Sequence, residues 1–488
     1  MRYEDYKFLC NYCDKFLTEN INDSLVSIPA IHVLKEHPEI LNQYEEIFSD
    51  KSSIGNIVNK KNTPNKLDFF KSFLRNYLSF SPKIKTPFPN VDVVFISHLI
   101  NINHLKDQDD FYFSNLPNIL NRQGISSMVI LLNQTKEKQI HDLTIESLEV
   151  PRYVIPSRLG LFDEIIFISS LAFQFLKIRF KSISQKNYER KILQSLSRFG
   201  NVAGALFSLR LKKYLSKVFI QSKPKILITI YEGHAWERIA YSFAFEKEIH
   251  RIGYQHSVVT RDSHAMLRSL GKKYDPDLIY TSGSITQKYF ENHIRIKSTK
   301  TKILGSSKLL NRPRAANNQT NNIKTCLVIP EGLVDECKTL FEFSCLCARR
   351  LKNVRFIWRL HPQISFSELN KKTEIGFDDL PKNILISTNT LDNDIASSTH
   401  VLYRGSTAVI ESIYGGLIPV YLSDNDEMTI DILHELDEIR PIVKDFDDFE
   451  SVILNSNNKN ISKLQNYSEK YFYPLNEKLF ISDINNII

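Results

Sequence analysis

Val91 to Leu99 reads VDVVFISHL, a nearly unbroken apolar run of the kind a strand carries when helices cover both faces of a parallel sheet. The same signature returns in SSMVILLN (126–133), DEIIFISS (163–170), KILITIYEG (225–233) and IHRIGYQHS (249–257), each time after enough chain for a crossover helix. A second series follows: DLIYTSG (277–283), TKILGSS (301–307), KTCLVIPEG (324–332), VRFIWRLHP (354–362), NILIST (383–388), THVLYRGS (399–406) and LIPVYLS (417–423). Helical stretches over Glu336–Arg350 and Thr407–Tyr414 separate members of this series. Two blocks of strand–helix alternation predict an α/β chain of two Rossmann-like domains facing each other across a cleft.

The predicted divisions are a helical N-terminal extension over 1–85, a first domain over 86–265, a second over 266–445 and a C-terminal helical segment over 446–488. The boundary between the domains is expected between Thr260 and Asp277. Tyr6, Leu9, Cys10, Cys13, Phe16 and Leu17 recur at helical spacing, a second helix is expected near Ile40–Phe48, and the polar stretches Ser49–Asn65 and Leu309–Asn322 read as loops.

The 488 residues are 42% hydrophobic and 24% charged, close to soluble globular averages. No run approaches the roughly 18 apolar residues of a spanning helix, and the N-terminus lacks the basic and apolar regions of a secretory signal. A cytoplasmic chain with reduced thiols is therefore expected. Cys10 and Cys13 form a C-x-x-C without a second ligand pair at zinc-site spacing, so two thiols on a helix are expected, and no metal. The net charge of +8 is small, yet Pro151–Lys225 carries 15 Lys and Arg against Asp163, Glu164 and Glu189, an excess of +12. Leu176, Phe180, Ile183, Ile192, Leu193, Leu196 and Phe199 alternate with those cations. That pattern fits a solvated helical face or a helix lying on an anionic membrane, and not a nucleic-acid surface.

Ligands in open α/β sheets bind beyond the carboxyl ends of the strands, and four clusters fall there. Tyr231-Glu232-Gly233-His234 places a carboxylate and an imidazole after ILITI, as acid/base chemistry requires. Glu232 and His234 are the catalytic candidates, with Gly233 for the turn. Glu237 is either a cleft residue, a first-turn carboxylate at a helix start, a reading open to Glu232 as well, or a partner of Arg238. His256, in GYQHS, is a second cleft candidate or a satisfied structural histidine. Arg359, His361 and Pro362 end VRFIW with two groups suited to a phosphate. Gly405, Ser406 and Thr407 open a helix, where N–H groups favour an anion or Ser406 is a plain N-cap, and Glu411 follows one turn later as a carboxylate for a ribose hydroxyl pair or a buried ion-pair partner.

The order Y-E-G-H, G-Y-Q-H-S, R-L-H-P, then G-S-T-A-V-I-E-S-I-Y-G-G-L-I-P-V resembles bacterial surface-carbohydrate transferases of the GT-B architecture, those of O-antigen and capsule biosynthesis, over roughly Val91–Asp445. It is more distantly similar to the bacterial sialyltransferase, polysialyltransferase and Kdo-transferase group. The resemblance implies a general base at Glu232 beside Gly233, donor-phosphate contacts from His361 beside Pro362, and the same phosphate at Ser406 and Thr407. Y-E-G-H replaces that group's consecutive acidic residues, and G-S-T-A its paired serines. The first domain would then face the acceptor and the second would hold the nucleotide sugar. A glycosyltransferase is implied, moving a sugar such as a nonulosonate from a nucleotide donor to a surface-glycan or lipid-linked acceptor, for instance in lipopolysaccharide assembly. It would be inverting and metal-independent, use no cofactor, and sit in the cytoplasm or peripherally at the inner face of the plasma membrane. The alternatives are a nucleotide-sugar epimerase of the same fold, a polyol-phosphate transferase and a non-catalytic scaffold.

Overall fold

The computed structural model describes residues 1–33, 44, 47–48, 87–135, 144–145, 148–156, 159–198, 201–293, 299–309, 323–361, 364, 366–372, 379–423, 428–456 and 458–488. The chain starts with α1 (Tyr3–Asn20) and α2 (Asp23–Val26). The predicted stripe of Tyr6, Leu9, Cys10, Cys13, Phe16 and Leu17 is the buried face of α1. Burial pushes the Cys13 thiol up to about 12, so this C-x-x-C is a pair of packed, protonated thiols. Of the helix expected near Ile40–Phe48 only Tyr44, Ile47 and Phe48 are described, all buried. The loop at Ser49–Asn65 lies outside the described residues, and that at Leu309–Asn322 does so from 310 onward.

The first Rossmann-like unit contains β1 (Val93–Leu99), α3 (Leu116–Arg122), β2 (Ser127–Asn133), β3 (Thr144–Ile145) and β4 (Arg152–Val154). It continues through α4 (Leu161–Ile183), α5 (Asn187–Leu196), α6 (Val202–Ser222), β5 (Ile226–Ile230), α7 (Ala235–Glu246), β6 (His250–Tyr254), β7 (Leu278–Thr281), α8 (Ser284–Asn292) and β8 (Lys300–Ile303). The eight strands lie in the order β3-β4-β2-β1-β5-β6-β7-β8, and all pairs but β3–β4 are parallel. Sheet, helices and loops share one core around Phe95, Leu131, Ile228 and Ile252.

Two expectations need correction. DEIIFISS is not a strand: it opens the 23-residue helix α4. The apolar run continues into LAFQFLKIRF without a breaker, and length decides for a helix where short-range periodicity cannot. The domain boundary also moves. DLIYTSG and TKILGSS are β7 and β8 of the first sheet, with Ile252 beside Leu278 and Leu278 beside Lys300, so the second unit cannot begin at residue 266. The stretch between Thr260 and Asp277 is tied into the first unit: Arg251 donates to Asp277 through its backbone N–H (3.0 Å) and Nε (2.9 Å). The change of sheet falls between β8 and the next strand.

That strand is β9 (Thr325–Ile329), followed by α9 (Val334–Arg350), β10 (Arg355–Trp358), α10 (Phe366–Lys372), β11 (Ile384–Ile386) and α11 (Leu391–Ala396). Then come β12 (His400–Tyr403), α12 (Ala408–Tyr414), β13 (Ile418–Leu422) and β14 (Ile442–Val443), in an all-parallel sheet of order β11-β10-β9-β12-β13-β14. The predicted C-terminal segment divides. Phe449 and Ile453 of α13 (Phe446–Asn455) fill the second core, and α14 (Ile461–Tyr471) packs on α12, where Ser468 Oγ donates to the Ile410 carbonyl at 2.7 Å. The last helix, α15 (Glu477–Ile487), returns to the first unit. There Phe480 and Ile484 join its core, and Asp483 accepts from Tyr280 (2.9 Å) and Lys302 (2.6 Å). The returning chain passes so close to Gly305 (φ 91°) that a Cβ there would lie 2.3 Å from the Pro474 carbonyl oxygen.

Because α15 fastens the second unit's C-terminus to the first core, Phe480→Ala should lower the stability of the first unit by about 3–5 kcal/mol, the usual cost of removing a buried phenyl ring. Urea unfolding followed by fluorescence should show the midpoint falling; an unchanged midpoint would mean that α15 is not part of that core.

Candidate active site

The turn after β5 brings the predicted acid/base residues together. Gly233 has φ 82° and lies against the Ala265 backbone, so closely that a Cβ would fall 2.4 Å from the Ala265 carbonyl carbon. A glycine is needed for both reasons. The turn presents Glu232 and His234 side by side, with His234 Nε2 3.0 Å from Glu232 Oε2. The Ser257 hydroxyl, after the neighbouring strand β6, donates to Glu232 Oε1. Both side chains keep partial exposure, 16% for Glu232 and 25% for His234.

They line a cavity of about 320 Å³ with His98, Tyr112 and Trp236; Pro29 and the α6 residues Gly204, Phe207 and Ser208 form its far wall. His98, at the C-terminal end of β1, lies 6.2 Å from the His234 ring and 5.4 Å from Trp236, centre to centre. Its Nδ1 is buried and makes no hydrogen bond among the described residues. Burial, with His234 nearby, pushes the imidazole down to about 4, so it is neutral at physiological pH. His98 and Tyr112 went unrecognised in the sequence. The signal was there for His98, an imidazole near the carboxyl end of a largely apolar strand. Tyr112 comes from a loop held by Asp110, which accepts from Ser97 Oγ at 2.8 Å and from the Tyr112 and Phe113 N–H groups at 2.9 Å.

Glu237 does not reach the cavity. It is fully buried in the first turn of α7, accepting backbone N–H bonds from Glu232 (3.1 Å) and Gly233 (2.9 Å), the helix-start role rather than the cleft role. Burial raises it to about 7. Arg238 is not its hydrogen-bond partner: that guanidinium, also fully buried, pairs with Asp275 and donates to Tyr231 Oη (3.1 Å) and to the carbonyls of Ala265 (3.0 Å) and Arg268 (3.1 Å). His256 packs beside the cluster against Tyr112, 5.0 Å between ring centres, and burial pushes it well below the ordinary histidine range.

The remaining predicted residues lie on the second sheet. Arg359, after β10, donates from Nη1 to the Asn389 carbonyl (2.7 Å) and to Asp394 (2.9 Å), so the cation expected to face a phosphate is already matched by a buried carboxylate. His361 is half-buried in the same loop, and Pro362 lies outside the described residues. Gly405, Ser406 and Thr407 follow β12, two strand positions from β10 and so about 10 Å away. Thr407 is the N-cap of α12 without a side-chain cap bond, Ser406 is buried, and Glu411 is half-buried on the helix. An unpredicted carboxylate is also present: a Cβ on Gly405 would fall 1.4 Å from Glu331 Oε1, so Glu331, after β9, packs directly on the Gly405 backbone. Its signal was the acid in KTCLVIPEG, at another strand end. The loops leaving β6 and β7 meet the second unit at α14, with Val259 N–H donating to Tyr471 Oη (2.9 Å) and Ser282 Oγ to the Tyr471 carbonyl (3.0 Å).

Comparison with solved structures fits this arrangement. A co-structure of S. aureus MnaA with UDP superposes with a TM-score of 0.50, 10% identity and coverage of 82% of this chain and 98% of that one. The architecture is GT-B. A Methanocaldococcus jannaschii UDP-GlcNAc 2-epimerase bound to UDP-GlcNAc and UDP matches at TM-score 0.47 and 14% identity, over 81% of this chain and 99% of that one. Acinetobacter baumannii MurG matches at TM-score 0.46 and 10% identity, with coverage of 81% and 99%. No protein-family model and no curated protein matches the chain. At such identities the likeness concerns the fold, not the reaction.

The depressed His98 makes a signed prediction. A histidine that stays neutral in the fold but protonates near 6.5 when unfolded costs stability as pH falls from about 6.5 toward 4. Melting temperatures at pH 6.5 and pH 4.5 should therefore differ less in His98→Gln than in the parent chain; an equal or larger acid-side drop in the variant contradicts the buried, neutral imidazole.

Proposed function

We propose that the chain is a nucleotide-sugar-dependent glycosyltransferase with Glu232 as the base that takes the acceptor's proton. The observation that carries this reading is the Ser257 hydroxyl donating to Glu232 Oε1. It makes the contact an acceptor hydroxyl would make at the start of an inverting displacement. His234 fixes the other oxygen, and neutral His98 and Tyr112 supply polar atoms around the space without adding a competing charge. As the acceptor oxygen bonds the anomeric carbon, its proton passes to Glu232 and the nucleotide phosphate leaves. The charge gathering on that phosphate would be met by His361 and by the N–H groups at the start of α12, with Ser406 and Thr407 beside them. Arg359 contributes only its share beyond Asp394. This arrangement asks for neither a metal nor a cofactor. The sugar is assigned to the nonulosonate class and the acceptor to a surface glycan or its lipid-linked precursor, on the order of motifs alone.

A second reading, nucleotide-sugar epimerisation, is favoured by the concentration of His98, Glu232 and His234 on one cavity, since proton abstraction from carbon also needs several acid/base groups. It requires no acceptor, so product formation from the donor alone separates it from transfer.

Glu232→Gln should reduce transfer by at least about 100-fold, the lower range for loss of a general base, with nucleotide affinity preserved and EDTA without effect on the parent enzyme. Turnover near the parent rate would remove Glu232 from the chemistry. In a thermal-shift series with CMP, CDP, UDP, GDP and dTDP, one nucleotide should raise the melting temperature, and His361→Ala should abolish that shift. A CMP response supports a nonulosonate donor, a CDP response a polyol-phosphate donor, and no response to any of the five contradicts a nucleotide site.

A further inference from the structure

The charged band at 151–225 is not one face. In α5, Ile192, Leu193 and Leu196 are core residues, and in α6 the cations Arg210 and Lys213 are matched by Glu164 (2.7 Å) and Asp163 (3.0 Å), while Lys212 pairs with Asp23. Phe199 lies outside the described residues. What remains is the outer side of α4.

The inner face of this helix is spent on the fold. Leu171 and Ile178 are buried with the N-terminal helices, and Ser170 Oγ meets Ser24 Oγ at 2.7 Å. A helix covering a soluble core should be polar on its other side. Instead Phe162, Ile166, Phe173, Leu176, Phe180 and Ile183 are exposed, the three phenyl rings to 83%, 70% and 68%. At the helical repeat these six side chains fall within an arc of about 100°, along a helix of about 34 Å. Lys177 borders the stripe on one edge and Arg179 on the other, with Lys186 and Arg190 just past its end, all exposed, while Lys181 reaches back to Asn20 of α1. The acids of α4, Asp163 and Glu164, are the ones already paired with α6.

We propose that this face of α4 docks on an anionic lipid bilayer, its aromatic and aliphatic side chains entering the boundary between headgroups and acyl chains and its bordering cations resting on lipid phosphates. Charge complementarity selects this occupant. The edges are cationic and both carboxylates of α4 are paired with α6, so a second copy of the same face offers no free matching charge, whereas lipid phosphates do. No helix among the described residues is long and apolar enough to cross a membrane, so α4 lies on the surface. One helix separates it from the chemistry: α6 packs beneath α4 and lends Gly204, Phe207 and Ser208 to the cavity wall. An acceptor held in the bilayer would thus arrive on the side where Glu232 lies.

The test is co-sedimentation of the full chain with vesicles of phosphatidylcholine alone or mixed with phosphatidylglycerol. Binding should be roughly tenfold stronger to the anionic vesicles and weaken with salt. The double variant F173D/F180D should lose it by roughly tenfold or more while keeping its melting temperature, and in F173W the new indole emission should shift to the blue on anionic vesicles. Absence of binding to anionic vesicles, or binding that the double variant retains, overturns the proposal. So does a dimer dissolved by F173D/F180D with no vesicle binding, which would assign the face to a second copy. None of these readouts uses a sugar nucleotide, so their failure and failure of the transferase reading are separate results.

Discussion

The buried guanidinium of Arg238 is the contact on which the candidate active site rests. Its partners, Tyr231, Ala265, Arg268 and Asp275, come from the residue before Glu232 and from the loop that the Gly233 turn leans against. A charge removed from water is tolerable only when it is paired; Asp275 pairs this one, both Nη groups donate, and the planar fork of arginine binds those oxygens in fixed directions. Those directions hold the 265–275 loop against the β5–α7 turn and so determine where Glu232 and His234 point. The same loop carries Arg268, which reaches Asp14 at 2.7 Å and also meets His32, while Asp14 accepts His264 at 2.9 Å. The N-terminal extension therefore braces the loop against which the candidate site is built, a role its sequence did not disclose.

The candidate residues are divided between the two sheets in a way that follows from topology. Parallel strands deliver their following loops to one edge, so β1, β5 and β6 bring His98, Glu232 with His234, and Ser257 into one cluster although they lie far apart in the chain. The second sheet repeats the device with Glu331, Arg359, His361 and Ser406. Its electrostatics differ from a bare anion site, because Arg359 and Arg404 are matched by Asp394 and Glu336. On the proposed reading, a phosphate there would depend on backbone N–H groups and His361 more than on these paired cations.

Much of this was legible in the residues. The apolar strand runs, the buried face of α1 and the strand-end positions of Glu232, His361 and Ser406 follow from local periodicity, which needs no knowledge of distant contacts. The errors share one cause. DEIIFISS satisfied the pattern of a buried strand over eight residues, and only the chain beyond it showed the helical repeat. The misplaced domain boundary arose because both units use the same alternation, so nothing local marks the sheet a strand joins. Glu237 illustrates the limit for single residues: its position fitted a cleft or a helix start equally well, and burial beneath the turn decided.

The sequence by itself determined the α/β class, two units of parallel strands, the residue types available at the strand ends and the excess of positive charge between 151 and 225. Tertiary structure decided which sheet β7 and β8 belong to, the return of α15 to the first core, the meeting of His98, Tyr112 and Ser257 around Glu232, and the division of the charged band into buried pairs and one exposed apolar stripe. Local composition sets what each segment can bury. Which partner it is buried against depends on pairing across hundreds of residues, and that is settled only when the whole chain packs.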